Sequence, residues 1–246
     1  MKNYNLRRFK TISMMVLLIF SFIGTSFTAE AKKSKSDDQK VVVIDPGCQA
    51  IENNTKESVG PGAWKWAEDD MVGATGAVTS NNEYDINLLV ALKTQKELEK
   101  QGYRVEMTRI TNDVNISSAE RAMFANTLEA DLYVTIRSSA KSSKSSGITV
   151  VCETEDNPYN FVTYSYCRLL ADTLRGCLAE RTADASKDVV ETDDIIGINW
   201  CQMPNAIVIV GNIKNESDDQ KLANEEYQQK LAEGIAAGVD SYFEQR

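Results

Sequence analysis

The chain has 246 residues, 42% hydrophobic and 26% charged, enough apolar material for a packed core and a length that suits one large or two small domains. Its net charge of −9 repels nucleic acid and anionic membrane surfaces at long range, so any anionic partner must be held by local contacts. Histidine is absent, which removes every Ser-His-Asp scheme and most zinc-hydrolase ligand sets together.

Met1 to Ala31 reads as a secretory signal. Lys2, Arg7, Arg8 and Lys10 precede an apolar run from Met14 to Ile23, and Ala29-Glu30-Ala31 supplies a small-x-small cleavage site. The run is too short to span a bilayer and no later stretch is long enough, so the expected product is secreted, to the envelope or beyond, with no membrane anchor. Cleavage removes four basic residues and Glu30, leaving the exported chain more acidic still. Residues 32–39 (KKSKSDDQ) form a polar linker, and residues 40–246 are expected to form one domain.

All five cysteines, Cys48, Cys152, Cys167, Cys177 and Cys201, lie beyond the signal and show no CxxC spacing. An odd number leaves at least one thiol unpaired within the chain. Cys152 and Cys201, at the ends of neighbouring sheet segments, are a candidate disulfide whose connectivity the sequence leaves open.

Val41 to Asp45 is an apolar run closed by Pro46-Gly47 and predicts a buried strand ending in a turn. Ala50 to Asn82 is polar, glycine-bearing and aperiodic, a long loop carrying Trp64 and Trp66. Tyr84 to Gln101 predicts a helix with Asn82 placed to cap it and Gly102 to stop it. Tyr103 to Thr108 alternates as a strand, and Ser117-x-x-Glu120 is a capping box for a helix reaching about Leu128. Strands follow at Asp131 to Ile136 and Gly147 to Cys152, then a helix from Phe161 to Leu178. Asn205 to Val210 has the composition of a strand buried on both faces. Ser217-x-x-Gln220 is placed to cap a final helix whose Tyr227, Leu231, Ile235, Val239 and Tyr242 share one face. The alternation predicts an α/β single domain: a mostly parallel twisted sheet with helices on both faces.

In such sheets, sites form beyond the carboxyl ends of the strands. Cys48, Glu83, Arg137 and Ile209 all fall there. VVVIDPG at 41–47, NEYDINLLVALK at 82–93, MTR at 107–109, ERAMFAN at 120–126, DLYVTI at 131–136 and GINWCQMP at 197–204 together resemble the zinc-dependent N-acetylmuramoyl-L-alanine amidases of the Amidase_3 family, which cut the lactyl–peptide amide of peptidoglycan. The resemblance spans essentially all of residues 40–246. It implies that the first strand should end in a zinc-binding histidine, where this chain has Cys48. Glu83 matches the family's glutamate ligand. Arg137 stands where the family has its second histidine, and Ile209 where it has a catalytic glutamate.

A catalytic zinc needs about three protein ligands and an open position. A guanidinium at Arg137 opposes a dication, and Ile209 cannot accept a proton from water, so neither half of a hydrolytic mechanism is expected to survive. Arg137 is expected to pair with Glu83 as a surrogate for the metal, and no cofactor is expected. Cys48 is either a nucleophile with its thiolate favoured by Arg137 or a small residue in an inactive pocket. Asp45 and Glu120 need only turn and cap roles. Trp64 and Trp66 either stack on a sugar or pin their loop to the body. The leading expectation is an inactive exported amidase homologue that binds peptidoglycan or a cell-wall protein. The alternative is an active amidase with zinc on a rebuilt Cys48/Glu83 site, its third ligand drawn from Glu52, Glu57, Asp69 or Asp70. A third possibility is a regulatory partner of an active paralogue.

Overall fold

The structure, a computed structural model, describes residues 39–68, 71–140, 142–159, 162–185 and 188–246. The expected signal and nearly all of the expected linker therefore lie outside the described residues, as do Asp69 and Asp70. Among the described residues no helix is long and apolar enough to cross a membrane.

Six strands form one twisted sheet in the order β4-β1-β5-β8-β6-β7. They are β1 (Val41–Pro46), β4 (Arg104–Met107), β5 (Leu132–Ser139), β6 (Thr149–Cys152), β7 (Val190–Glu191) and β8 (Asn205–Asn212). Pairing is parallel except between β8 and β6. Alternate side chains point to opposite faces. Val42, Ile44, Leu132, Val134, Ile136, Ala206 and Val208 pack into one large core with α1 (Glu83–Lys100), α3 (Tyr164–Thr182) and α6 (Glu225–Gln245). Val43 and Tyr133 face a smaller core closed by α2 (Ser118–Thr127), and the end of α4 (Ile196–Trp200) closes it too. Helices thus cover both faces, as the alternating pattern requires.

Local chemistry explains most element ends. In α2 the Ser117 hydroxyl accepts from the Glu120 N–H and the Glu120 carboxylate accepts from the Ser117 N–H, completing the expected capping box. Buried Glu83, Asn87, Val90, Thr94 and Leu98 make one stripe along α1. Asn82 holds its N-cap position without a side-chain cap, its amide donating instead to Asp85.

Four expectations are corrected. The 50–82 segment is not featureless: β2 (Glu57–Ser58) and β3 (Trp66–Ala67) pair as a short antiparallel hairpin, too brief for periodicity to register. The strand predicted to end at Ile136 continues to Ser139, placing Arg137 inside it. Ser217 caps nothing, because Asn215 accepts the Ser217 and Asp218 N–H groups and opens a separate helix, α5 (Glu216–Leu222). Asn224 then caps α6 in the same way. Finally, all five cysteines are free thiols. Cys152 lies in the large core and Cys201 in the small one, so the sheet itself separates the candidate pair.

Candidate functional site

The site begins with the turn after β1. Asp45 is buried, and burial alone would raise its carboxyl, but the guanidinium of Arg121 at 2.8 Å and hydroxyl donors from Thr108, Tyr133 and Thr135 hold it below the usual carboxylate range. Asp45 is thus an ion-pair hub and not the turn residue its neighbours Pro46 and Gly47 imply. Arg121 also donates to the carbonyls of Pro46 and Cys48 and to the Gln49 side chain. Arg109, equally buried, donates to the carbonyls of Pro46, Gly47 and Tyr84. Asn87 adds a second donor to the Gly47 carbonyl and is itself held by Ser138. Two buried arginines therefore fix the backbone of residues 46–48 and tie it to the start of α1. Arg121 has a signal in the sequence, a charged residue sharing a helical face with Ala125, four residues on, whereas Arg109 lies outside any helix or strand.

On this platform the four singled-out positions come together. Cys48 is buried with a left-handed backbone, φ 60°. Glu83, the first residue of α1, is buried, and its Oε2 accepts from the Ala74 N–H at 3.3 Å. Arg137 reaches both: its Nη2 donates to Cys48 Sγ at 3.4 Å, and its Nε lies 3.9 Å from Glu83 Oε1. Ile209 is the register partner of Arg137 on the adjacent strand. Two glycines permit this crowding. A Cβ at Gly47 would meet Arg137 Cγ at 2.5 Å. A Cβ at Gly73 (φ 73°) would stand 2.6 Å from Glu83 Oε2 and 3.0 Å from Cys48 Sγ, so the backbone at 73 roofs the pair.

The chemistry of this set does not fit a catalytic zinc. Burial pushes the Cys48 thiol up to about 12 against the pull of Arg137, with Glu83 adding to the rise, which opposes the thiolate that a nucleophilic step requires. Arg137 brings a fixed positive charge into contact with the only carboxylate of the set. Among the described residues the candidate loop acids do not complete it: Glu57 accepts from the Ser117 hydroxyl and the Ala119 N–H at the head of α2, and Glu52 is exposed. Ile209, aliphatic, offers no base.

Cys48, Tyr133, Thr135 and Arg137 border a cavity of about 30 Å³, room for a water or two. Beyond Arg137 it gives way to a space of about 300 Å³ walled by Val151, Ile195, Ile207 and Ile209. A third, of about 210 Å³, shares Ser139, Val151 and Ile209 with it and is edged by Ser145, Ser146 and Asn212. The groove therefore runs from a cation across aliphatic walls to a hydroxyl-rich end.

The hairpin carrying the tryptophans is anchored at its base. Besides the Glu57 contacts, the Trp200 indole donates to the Ser58 carbonyl and Asn199 to that of Val59. The tryptophans do no pinning: Trp64 is 98% exposed and Trp66 62%.

A single α/β domain built on a mostly parallel sheet is the fold shared with solved N-acetylmuramoyl-L-alanine amidases. The amidase Ami1 of Mycobacterium smegmatis superposes with a TM-score of 0.75 over 84% of this chain and 98% of its own, at 23% identity. The family model for N-acetylmuramoyl-L-alanine amidase, Amidase_3, matches residues 42–241, and the chain belongs to that family. The uncharacterised protein YqiI of Bacillus subtilis is 31% identical over 204 residues, 83% of this chain and 93% of YqiI. LytH of Staphylococcus aureus, a probable cell wall amidase, is 27% identical over 177 residues, 70% of this chain but only 55% of LytH.

Proposed function

We propose that this protein is an exported amidase homologue that binds peptidoglycan, or a cell-wall protein seated on it, without cutting it, and that it works without zinc. The observation that carries the reading is the guanidinium of Arg137 set between Cys48 Sγ and Glu83 Oε1, at 3.4 and 3.9 Å. Its charge meets the Glu83 carboxylate that a metal would otherwise use, and the register neighbour Ile209 leaves no proton acceptor for an attacking water. Export is supported by the Met1 to Ala31 leader, and envelope residence by membership of a family whose name specifies a wall bond. Trp64 and Trp66, exposed on a hairpin that is held at its base, are the proposed sugar-stacking contacts.

The test is a calorimetric zinc titration of the purified protein under reducing conditions, with Glu83→Ala as control, beside incubation with purified sacculi. Co-sedimentation with the sacculi, no release of alanyl amino groups and no tight zinc site is the expected result. One tight zinc site lost in Glu83→Ala, together with amine release, would establish a rebuilt Cys48/Glu83 hydrolase and end the reading.

A further inference from the structure

We infer that the groove recognises a carboxylate flanked by a methyl group, namely the carboxylate that remains on the muramoyl sugar once its bond to alanine has been hydrolysed. On this account the protein holds glycan already stripped of peptide. The inference rests on the non-cleaving reading above and specifies its ligand.

The argument starts from what hydrolysis does to charge. Water adds across the C–N bond of an N-acetylmuramoyl-L-alanine amide, the nitrogen leaves as the alanine amine, and the acyl carbon keeps both oxygens as a carboxylate. A neutral acceptor becomes an anion. Arg137, whose side chain is 28% exposed, stands where the small cavity meets the aliphatic one. A guanidinium presents N–H donors as a planar fork that matches a carboxylate, and hydrogen bonds with charge on both sides are roughly twice as strong as neutral ones. Such a group discriminates product from substrate by charge, whereas a metal site that polarises a carbonyl must accept the neutral amide.

The surroundings agree. Cys48 Sγ accepts from Nη2 at 3.4 Å, and Glu83 Oε1 lies 3.9 Å from Nε, an ion-pair contact beyond hydrogen-bond reach. Val151, Ile195, Ile207 and Ile209 give an apolar wall on which a methyl group packs beside the guanidinium. Ser139 leads from this wall to the hydroxyl-rich end, where a sugar finds hydrogen-bonding partners. The net charge of −9 gives an anionic glycan no long-range attraction, so recognition depends on this local fork.

The experiment titrates the purified protein with three probes. They are a glucosaminyl-muramic acid disaccharide with its free carboxylate, the same disaccharide carrying L-alanine amide on that group, and an alanyl peptide with a free C-terminal carboxylate. The free acid is expected to bind at least tenfold more tightly than the amide or the peptide, and Arg137→Gln to abolish the preference. Because Arg137→Gln changes a partly buried contact, the acid-against-amide comparison on the unaltered protein carries the test. Equal affinity for acid and amide, equal affinity for the peptide, or no binding to any of the three would overturn the inference. Retention on intact sacculi without cleavage alongside such a result would leave the non-cleaving reading standing. Release of alanine from the amide would remove that reading itself.

Discussion

At the scale of single residues, burial and not sequence identity decides what the sulfurs can do. The Cys48, Cys152 and Cys201 thiols are each pushed up to about 12, burial being the first cause in every case, and Cys167 goes higher still. An unfolded thiol ionises near 9. The contribution of each group to stability is therefore complete below about pH 9 and is lost as pH rises toward 12, at up to about 1.4 kcal/mol per pH unit for each thiol. Denaturation midpoints measured between pH 7 and 11 are expected to fall above pH 9, with a shallower fall in Cys48→Ala. In the native protein at pH 8, Ellman's reagent should titrate the half-buried Cys177 and reach all five only after unfolding. Rapid native reaction of Cys48 would contradict its burial. That Cys48, Glu83, Arg137 and Ile209 would lie near one another was legible from the family-like blocks around them, although Arg137 falls inside β5 and not after it. The ionisation of Cys48 was not, because the roof over it comes from Gly73, in a segment with no periodicity to read.

At the scale of elements, the unforeseen hairpin is tied to the body by a helix end. Glu57 accepts two donors at the head of α2, Ser117 Oγ at 2.5 Å and Ala119 N–H at 3.1 Å, where a carboxylate also meets the positive end of the helix. Glu57→Gln is expected to lower stability by about 1 kcal/mol, the usual worth of such a capping contact. Trp64→Ala and Trp66→Ala, on exposed side chains, should change it by no more than about 0.5 kcal/mol while weakening retention on sacculi. Chemical denaturation and sedimentation separate the two effects, and a large loss of stability in Trp64→Ala would mean the indole is buried after all. Strands and long helices were readable from apolar runs and the 3.6-residue stripe. The hairpin was not, since two-residue strands hold no pattern, and the α5–α6 break was misjudged because Asn215, two residues before Ser217, caps α5, and Asn224, seven residues after it, caps α6.

At the scale of the whole molecule, the fold was the most legible property, because six sequence blocks spread over the chain all serve one sheet and its two flanking layers. The same platform separates architecture from reaction: Asp45, Arg109 and Arg121 hold the backbone of residues 46–48 whatever side chain stands at Cys48. It follows that the departures are side-chain deep. The triple variant Cys48→His, Arg137→His, Ile209→Glu is expected to fold with a thermal midpoint within a few degrees of the parent and to bind one zinc per chain by calorimetry. A left-handed backbone at position 48 tolerates histidine better than most residues. A folded triple variant that takes up no zinc would mean that the backbone around the site has drifted as well.

One reversal in the sheet has a bearing on how such a protein diversifies. Because β6 runs against β8, the chain leaves β5 and enters β6 at the same end of the sheet, so the serine-rich stretch 142–147 lies beside the groove and not on its far side. That stretch is fastened from outside, with Asn212 donating to the carbonyls of Ser142 and Ser145 and Asp218 accepting from the Gly147 N–H. Its side chains and even its length can change while strand register, core and guanidinium stay as they are. The groove thus has one wall built on the sheet and one built on a connecting loop, an arrangement in which a new ligand preference can be grafted onto the loop side without rebuilding the fold.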